Sequence, residues 1–322
     1  MARKLTQEFF SWLKKPVGNL ILSTVAQYRC LSIAMNGNSL RVYFQGCKVL
    51  SIKFHKKDGS CLLKPLAKEY IKTSEPNLET IIKSGITQAN LQNYLDAVIG
   101  LISRRDNKRQ EERIRQKITS VNNLTRDAND TDFFIVDQEY GVTVGGKTSK
   151  FDLVAVKWLS GSTIRKSFTQ SNIEIVVFEL KLGKKAIGGT KNAKNSIADL
   201  NHHIIDFNNF LSDTTKLEEF KKDILEMFMQ QACLDGFLNP NIEGLKHVKK
   251  LLGDNNAIKT LAKNISVKFG FIIADYKQES TVLSEQISMF DDNFLFATSS
   301  FMGYGLYDRC IINRQQLIER LK

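Results

Sequence analysis

Residues 173–182 read IEIVVFELKL, and this stretch constrains the fold more than any other. Six residues, Ile173 to Phe178, are apolar apart from Glu174, a length and β-branched content that predict a buried strand. Glu179 and Lys181 follow with a single leucine between them. Side chains two apart on a strand share a face, so both charges are expected on the side of Ile175 and Val177. The strand is expected to be apolar along its length and polar where it emerges. A chain that builds such a strand must cover it with other elements and must give its last two charges something to do.

The flanking pattern supplies the cover. FFIV at 133–136, VTV at 142–144, FDLVAVKW at 151–158 and IEIVVFELKL are short β-rich runs broken by Gly, Ser and Lys turns, as in a three-strand meander. Before them, PNLETIIKSGI begins a helix at Pro76, and residues 86–124 hold apolar positions at helical spacing. The charged block RRDNKRQEERIRQK (104–117) fits either a solvated helix face or a phosphate-facing surface. After the strands come a Gly-rich start and a helical stripe in 188–211, two amphipathic helices within 214–255, and the apolar strand VKFGFIIAD (267–275). Helix, three strands, helix and strand make an α+β core with one mixed sheet flanked by helices.

Residues 1–75 are read as a separate small module ahead of a domain spanning 76–322. TQEFFSWLKK predicts a helix closed by Pro16, and LRVYFQG with KVLSIKFH predicts a β-hairpin turning at Gly46. The net charge of +12 is unevenly spread. Residues 1–150 hold 24 Lys and Arg against 14 Asp and Glu, and the remainder 22 against 20. A basic half beside a neutral half suits a polyanion, most simply nucleic acid. The five cysteines have neither CxxC spacing nor a disulfide framework, so reduced thiols and a cytoplasmic location are expected. No apolar run is long enough for a membrane span, and the first residues do not read as a secretory signal.

Asp152 is the lone acid in an apolar run on the strand before Glu179, and Glu139 follows FFIV on the strand before that. Carboxylates at buried strand positions are costly unless paired, hydrogen-bonded or bound to a metal. Three of them converging with one lysine call for a hard cation with oxygen ligands, Mg²⁺ or Mn²⁺. Such an ion activates water and stabilises charge on a phosphate, and a lysine beside it can position that water or neutralise the phosphorane. The simpler alternatives are a Glu179–Lys181 salt bridge at a sheet edge, Asp152 capping a turn near its strand's start, and Glu139 as a turn residue. His202-His203 lacks Cys or His partners at ligand spacing, so zinc is not expected. One of the two is expected to pack near the site. GGKTSK (145–150) lacks phosphate-loop spacing and reads as a hairpin turn.

Asp152 followed 27 residues on by Glu179-Leu180-Lys181 resembles the D…(D/E)xK signature of the PD-(D/E)XK nuclease superfamily, which includes restriction enzymes, junction resolvases and repair nucleases. The resemblance covers roughly residues 105–275, and Phe151 stands where the signature's proline would. It implies a restriction-endonuclease-like αβββαβ core, with Asp152 and Glu179 as metal ligands and Lys181 as the catalytic lysine. Glu139 would be an extra carboxylate on the first core strand. Glu112, or Glu111, would be the glutamate some members bring from the first core helix, and Lys191, Lys194 or Asn195 a polar residue from the helix after the ExK strand. The implied activity is Mg²⁺-dependent hydrolysis of phosphodiester bonds in DNA, in defence or repair, by a monomer or a homodimer. The alternatives are an inactive nucleic-acid-binding module and an assembly subunit that reuses the fold.

Overall fold

In the computed structural model the described residues are 3–65, 76–104, 110–144, 146–166, 173–182, 200–234, 242–274, 287, 294–299 and 303–321. They form a mixed α+β protein with one four-stranded antiparallel sheet and one five-stranded mixed sheet. The expected boundary at 75 falls outside the described residues, as do Lys191, Lys194 and Asn195.

The N-terminal region is larger in β content than a hairpin. Helix α1 (Gln7–Leu13) buries Phe9, Phe10 and Leu13. Pro16 does not simply close it but stands in the first turn of a second helix, α2 (Pro16–Ala26), where its missing N–H would be unbonded in any case. The predicted hairpin is present as β2 (Ser39–Phe44) and β3 (Cys47–His55), flanked by β1 (Ser32–Asn36) and β4 (Ser60–Pro65) in the order β1-β2-β3-β4. Alternation places Leu40, Val42, Phe44, Leu50, Ile52 and Phe54 on the buried face.

Helices α3 (Pro76–Ser84), α4 (Leu91–Ser103) and α5 (Gln110–Asn123) follow. The long helical pattern over 86–124 contains two described helices. The second sheet is β5 (Phe133–Val144), β6 (Lys147–Trp158), β7 (Ile173–Leu182), β8 (Ser266–Ala274) and β9 (Leu295–Ser299), in that spatial order. The first three are antiparallel, and β7, β8 and β9 are parallel. Helix α6 (Ser162–Lys166) links β6 toward β7. Between β7 and β8 come α7 (Leu200–Ser212), α8 (Thr214–Cys233), α9 (Leu245–Leu252) and α10 (Asn255–Asn264), and α11 (Arg314–Leu321) follows β9. The fifth strand, β9, extends the single mixed sheet expected from sequence.

The sheet is covered on both faces. Val154, Val156, Ile175, Val177, Phe271 and Ile273 face Phe207, Phe210, Phe220, Ile224 and Phe228 of α7 and α8 in a core that continues into the N-terminal sheet. Leu153, Ala155, Val176, Phe178 and Leu180 face Ile114 and Ile118 of α5 in a second cluster. Burying a large side chain contributes about 1.5–3 kcal/mol, so these apolar strands are fixed in depth and register by both layers.

Residues 3–5 are tied down by a buried polar network. The Arg3 and Lys4 amides donate to Asp223 at 2.8 and 3.0 Å, and the Tyr140 hydroxyl donates to it at 2.8 Å. Gln230 exchanges two hydrogen bonds with the Leu5 backbone. The Arg3 guanidinium pairs with Asp137 at 2.9 Å and donates to the carbonyls of Gln138 and Glu139.

Candidate active site

The site forms where the pairing of β6 and β7 ends. Their ladder runs from Trp158↔Ile173 to Leu153↔Phe178. Two residues beyond Phe178, the Leu180 N–H is taken not by a β6 carbonyl but by the Asp152 carboxylate, at 2.9 Å. A regular strand would put residues 151 and 153 on one face. Here Phe151 packs against Phe207, Phe210 and Phe269, while Leu153 lies on the opposite face with α5. The strand therefore twists at Asp152. Opposite it on β5, Glu139 has φ 54°, a left-handed conformation that costs a residue with a side chain of order 1 kcal/mol and persists where the surroundings impose it. Asp152 is accordingly a mid-strand residue in β6 and not the turn cap at a strand start, and Glu139 lies within β5 rather than in a turn.

Glu179 and Lys181 share a face as expected, but they do not emerge into solvent. Glu179 is 4% exposed and Lys181 7%. Lys181 Nζ lies 2.8 Å from Glu179 Oε1, and His203 Nε2 from α7 lies 3.1 Å from the same oxygen and 3.2 Å from Lys181 Nζ. His203 therefore reaches the site.

On the other side Arg115 from α5 bridges two acids. Its guanidinium lies 2.9 Å from Asp152 Oδ1 and 3.1 Å from Glu139 Oε1, with its side chain buried and Glu139 at the half-exposed rim. Burial lowers the proton affinity of this guanidinium, but Asp152 and Glu139 together raise it further, so it stays charged. In the sequence Arg115 is one residue of a charged block. The signal for it is its position beside Ile114 and Ile118, the apolar stripe that faces the sheet.

Helix α5 also carries two glutamates close to the site. Glu112 stands against the β2–β3 turn, where a Cβ on Gly46 would come within 2.3 Å of the Glu112 Cβ. Glu111 turns toward the site: desolvation raises its carboxyl, Asp152 raises it further, and Lys181 and Arg115 pull it down. Gln116, one turn from Glu112, accepts from Gly46 N and donates to the carbonyls of Cys30 and Tyr43. One helix thus presents Glu111 and Arg115 to the site and the neighbouring stripe, Glu112 and Gln116, to the N-terminal sheet.

Four carboxylates, Glu111, Glu139, Asp152 and Glu179, meet two fixed cations, Arg115 and Lys181. The consequence shows at Glu179, whose carboxyl is pushed up to about 8 by burial and by the charge of Asp152, against the opposing pull of Lys181. Among the described residues, no three His, Cys, Asp or Glu side chains stand together closely enough to hold a metal ion as they are placed. Asp152 and Glu139 are engaged by Arg115 instead. The donor chemistry of Asp152 and Glu179 still fits a hard cation: oxygen ligands with an unbalanced negative charge.

No family model, curated protein or solved structure matches this chain. No helix among the described residues is long and apolar enough to cross a membrane.

Proposed function

We propose that the chain is a metal-dependent nuclease of the PD-(D/E)XK type, acting on phosphodiester bonds in DNA. The observation that carries the reading is the convergence of Asp152, Glu179 and Glu139 with Arg115 and Lys181 where the β6–β7 ladder ends. The order α5, β5–β7 antiparallel, α7 and α8, then β8 parallel to β7 supports a restriction-endonuclease-like core.

In this reading Asp152 and Glu179 hold Mg²⁺ or Mn²⁺, with Glu111 and Glu139 as nearby carboxylates. The ion supplies activation of water and charge stabilisation on the scissile phosphate. Arg115 is the resident counter-ion of Asp152 and Glu139, and it is free to turn to a phosphate oxygen once those acids have another cation. Lys181, held by Glu179 and His203, positions the attacking water and faces the developing phosphorane charge. The twist at Asp152 and the imposed left-handed conformation at Glu139 fix these groups before substrate arrives.

The decisive experiment incubates plasmid, linear duplex and single-stranded DNA with the protein in Mg²⁺, Mn²⁺ or EDTA. The expected result is divalent-dependent cleavage that drops about 10²–10³-fold or more in Lys181→Ala, with circular dichroism showing the variant still folded at the assay temperature. Binding without cleavage in every metal condition would replace the enzyme by an inactive binding module. Neither binding nor cleavage would point to an assembly role.

A further inference from the structure

We propose that the outer face of the N-terminal sheet is a docking shelf for the phosphate backbone of duplex DNA, running up to the site on β5–β7. The proposal rests on the nuclease reading for its choice of polyanion, but its surface is defined independently.

Residues 27–65 contain seven Lys and Arg and a single acid, Asp58. Strand alternation sorts them by face. Val42, Leu50, Ile52 and Leu63 point into the core, whereas Arg41, Lys48, Lys53 and Lys64 occupy the other face. The register fixes their arrangement: Arg41 pairs with Ser51, Ser51 with Lys64, and Tyr43 with Lys48. Lys53, two residues from Ser51, is thus a diagonal neighbour of both Arg41 and Lys64, at about 7–8 Å. Ser39, Ser51, Tyr43 and the half-exposed Leu62 fill the positions between, and the three hydroxyls can also meet phosphate oxygens. Lys56 at the sheet's end pairs with Glu8 at 3.6 Å. Among the described residues, Arg41, Lys48, Lys53 and Lys64 form no ion pair. Four like charges on one face repel one another unless a polyanion is laid across them.

Burial across the same face shows where the shelf leads. Its β1 residues, Ser32 and Ala34, are 1% and 2% exposed, while Lys48, Lys53 and Lys64 on β3 and β4 are open to solvent. The β1 edge lies beneath the catalytic sheet: Arg3 spans from the Met35 carbonyl on β1 to Asp137 and the Glu139 carbonyl on β5. Arg41 is close enough to Asp137 to favour its ionised form. Helix α5 locks the β2–β3 turn through Gln116 while carrying Arg115 to Asp152. A backbone lying on β2–β4 therefore meets the β5 end of the site with no intervening acidic surface from this sheet. Contacts of this kind hold phosphate and fix register without reading sequence.

The test measures binding to a labelled 30-base-pair duplex in EDTA, by fluorescence anisotropy across a salt series, with cleavage assayed separately in Mg²⁺. Wild type is compared with Lys48→Ala/Lys53→Ala/Lys64→Ala and with a control that removes the same charge from α9 and α10, Lys246→Ala/Lys250→Ala/Lys259→Ala. Each lost phosphate contact should lower the slope of log K against log salt by about 0.9. The shelf variant is expected to lose roughly 2–3 in slope and 10- to 100-fold in affinity at 0.15 M salt, with the control within about twofold of wild type. Equal losses in both variants, no loss in the shelf variant, or no duplex binding by wild type overturns the shelf. Duplex bound through the shelf but never cut would remove the nuclease reading and keep the shelf. Metal-dependent cutting with unchanged binding in the shelf variant would do the reverse.

Discussion

Two clusters of buried charge lie on either side of the same few residues of β5, and they are built on different principles. Around Asp223, Arg3 N, Lys4 N and the Tyr140 hydroxyl all donate to one carboxylate, and Arg3 covers the fully buried Asp137. Around Glu179, acids outnumber fixed cations, and the cluster borders solvent through Asp152, Glu139 and His203. A cluster sealed around its deepest acid, with a cation held against it, anchors the chain. An open one with surplus negative charge can take up a cation. Both contain a carboxyl with raised proton affinity, so a perturbed acid alone does not tell an anchor from a site; access and charge balance do.

The largest expected effect on stability is at the sealed cluster. Arg3→Ala leaves Asp137 buried without its cation and should cost about 3–5 kcal/mol at pH 8, read from urea unfolding. The cost should shrink toward pH 5.5, because Asp137, already pushed up to about 7 by burial, can then take a proton. A small, pH-independent loss would show that this cluster is not an anchor. Next comes the joint between α5 and the N-terminal sheet. Gly46 has φ 76° and no room for a Cβ against Glu112, so Gly46→Ala should cost about 2 kcal/mol or more, from left-handed strain and displaced packing.

The open cluster should respond to ions where the sealed one does not. Arg115→Met removes the counter-ion of Asp152 and Glu139, so the metal-free protein should lose about 1–2 kcal/mol and gain more melting temperature from added Mg²⁺ than wild type does. Equal Mg²⁺ shifts in the two proteins would separate Arg115 from the ion's site. The most gradual effect is the pH dependence of metal-free wild type. A carboxyl whose folded pKa is raised favours the folded state while protonated, and that contribution is lost as pH rises from its unfolded value through its folded one. The windows are about 4–7 for Asp137 and about 4.5–8 for Glu179. Each contributes a falling slope of at most about 1.4 kcal/mol per pH unit. Mg²⁺ should flatten the Glu179 window and leave that of Asp137 unchanged; flattening of both would undo the distinction between the clusters.

Much of the second sheet was legible because its strands are buried on both faces and so carry long apolar runs with few competing readings. The N-terminal strands β1 and β4 were not. SIAMN and SCLLKP are short, and they become strands by pairing with the hairpin between them. Likewise β9 depends on β8 for its backbone partners. Pro16 was read as a stop when it is a start, since proline suits the first turn of a helix as well as the residues after one.

The candidate site divides along the same line. Asp152, Glu179 and Lys181 were visible in sequence because a charge in an apolar strand run is conspicuous and the two-residue spacing sets its face. Sequence alone therefore determined which strands carry the acids and the lysine, through alternation and the cost of burying charge. Only the tertiary structure decided their partners. It brought Arg115 to Asp152 and Glu139, set Glu112 against the Gly46 turn, and set His203 beside Lys181. It also buried Glu179 deeply enough to change its proton affinity. Those contacts join residues dozens of positions apart, and what fixes them is the packing of α5 and α7 on opposite faces of one twisted sheet.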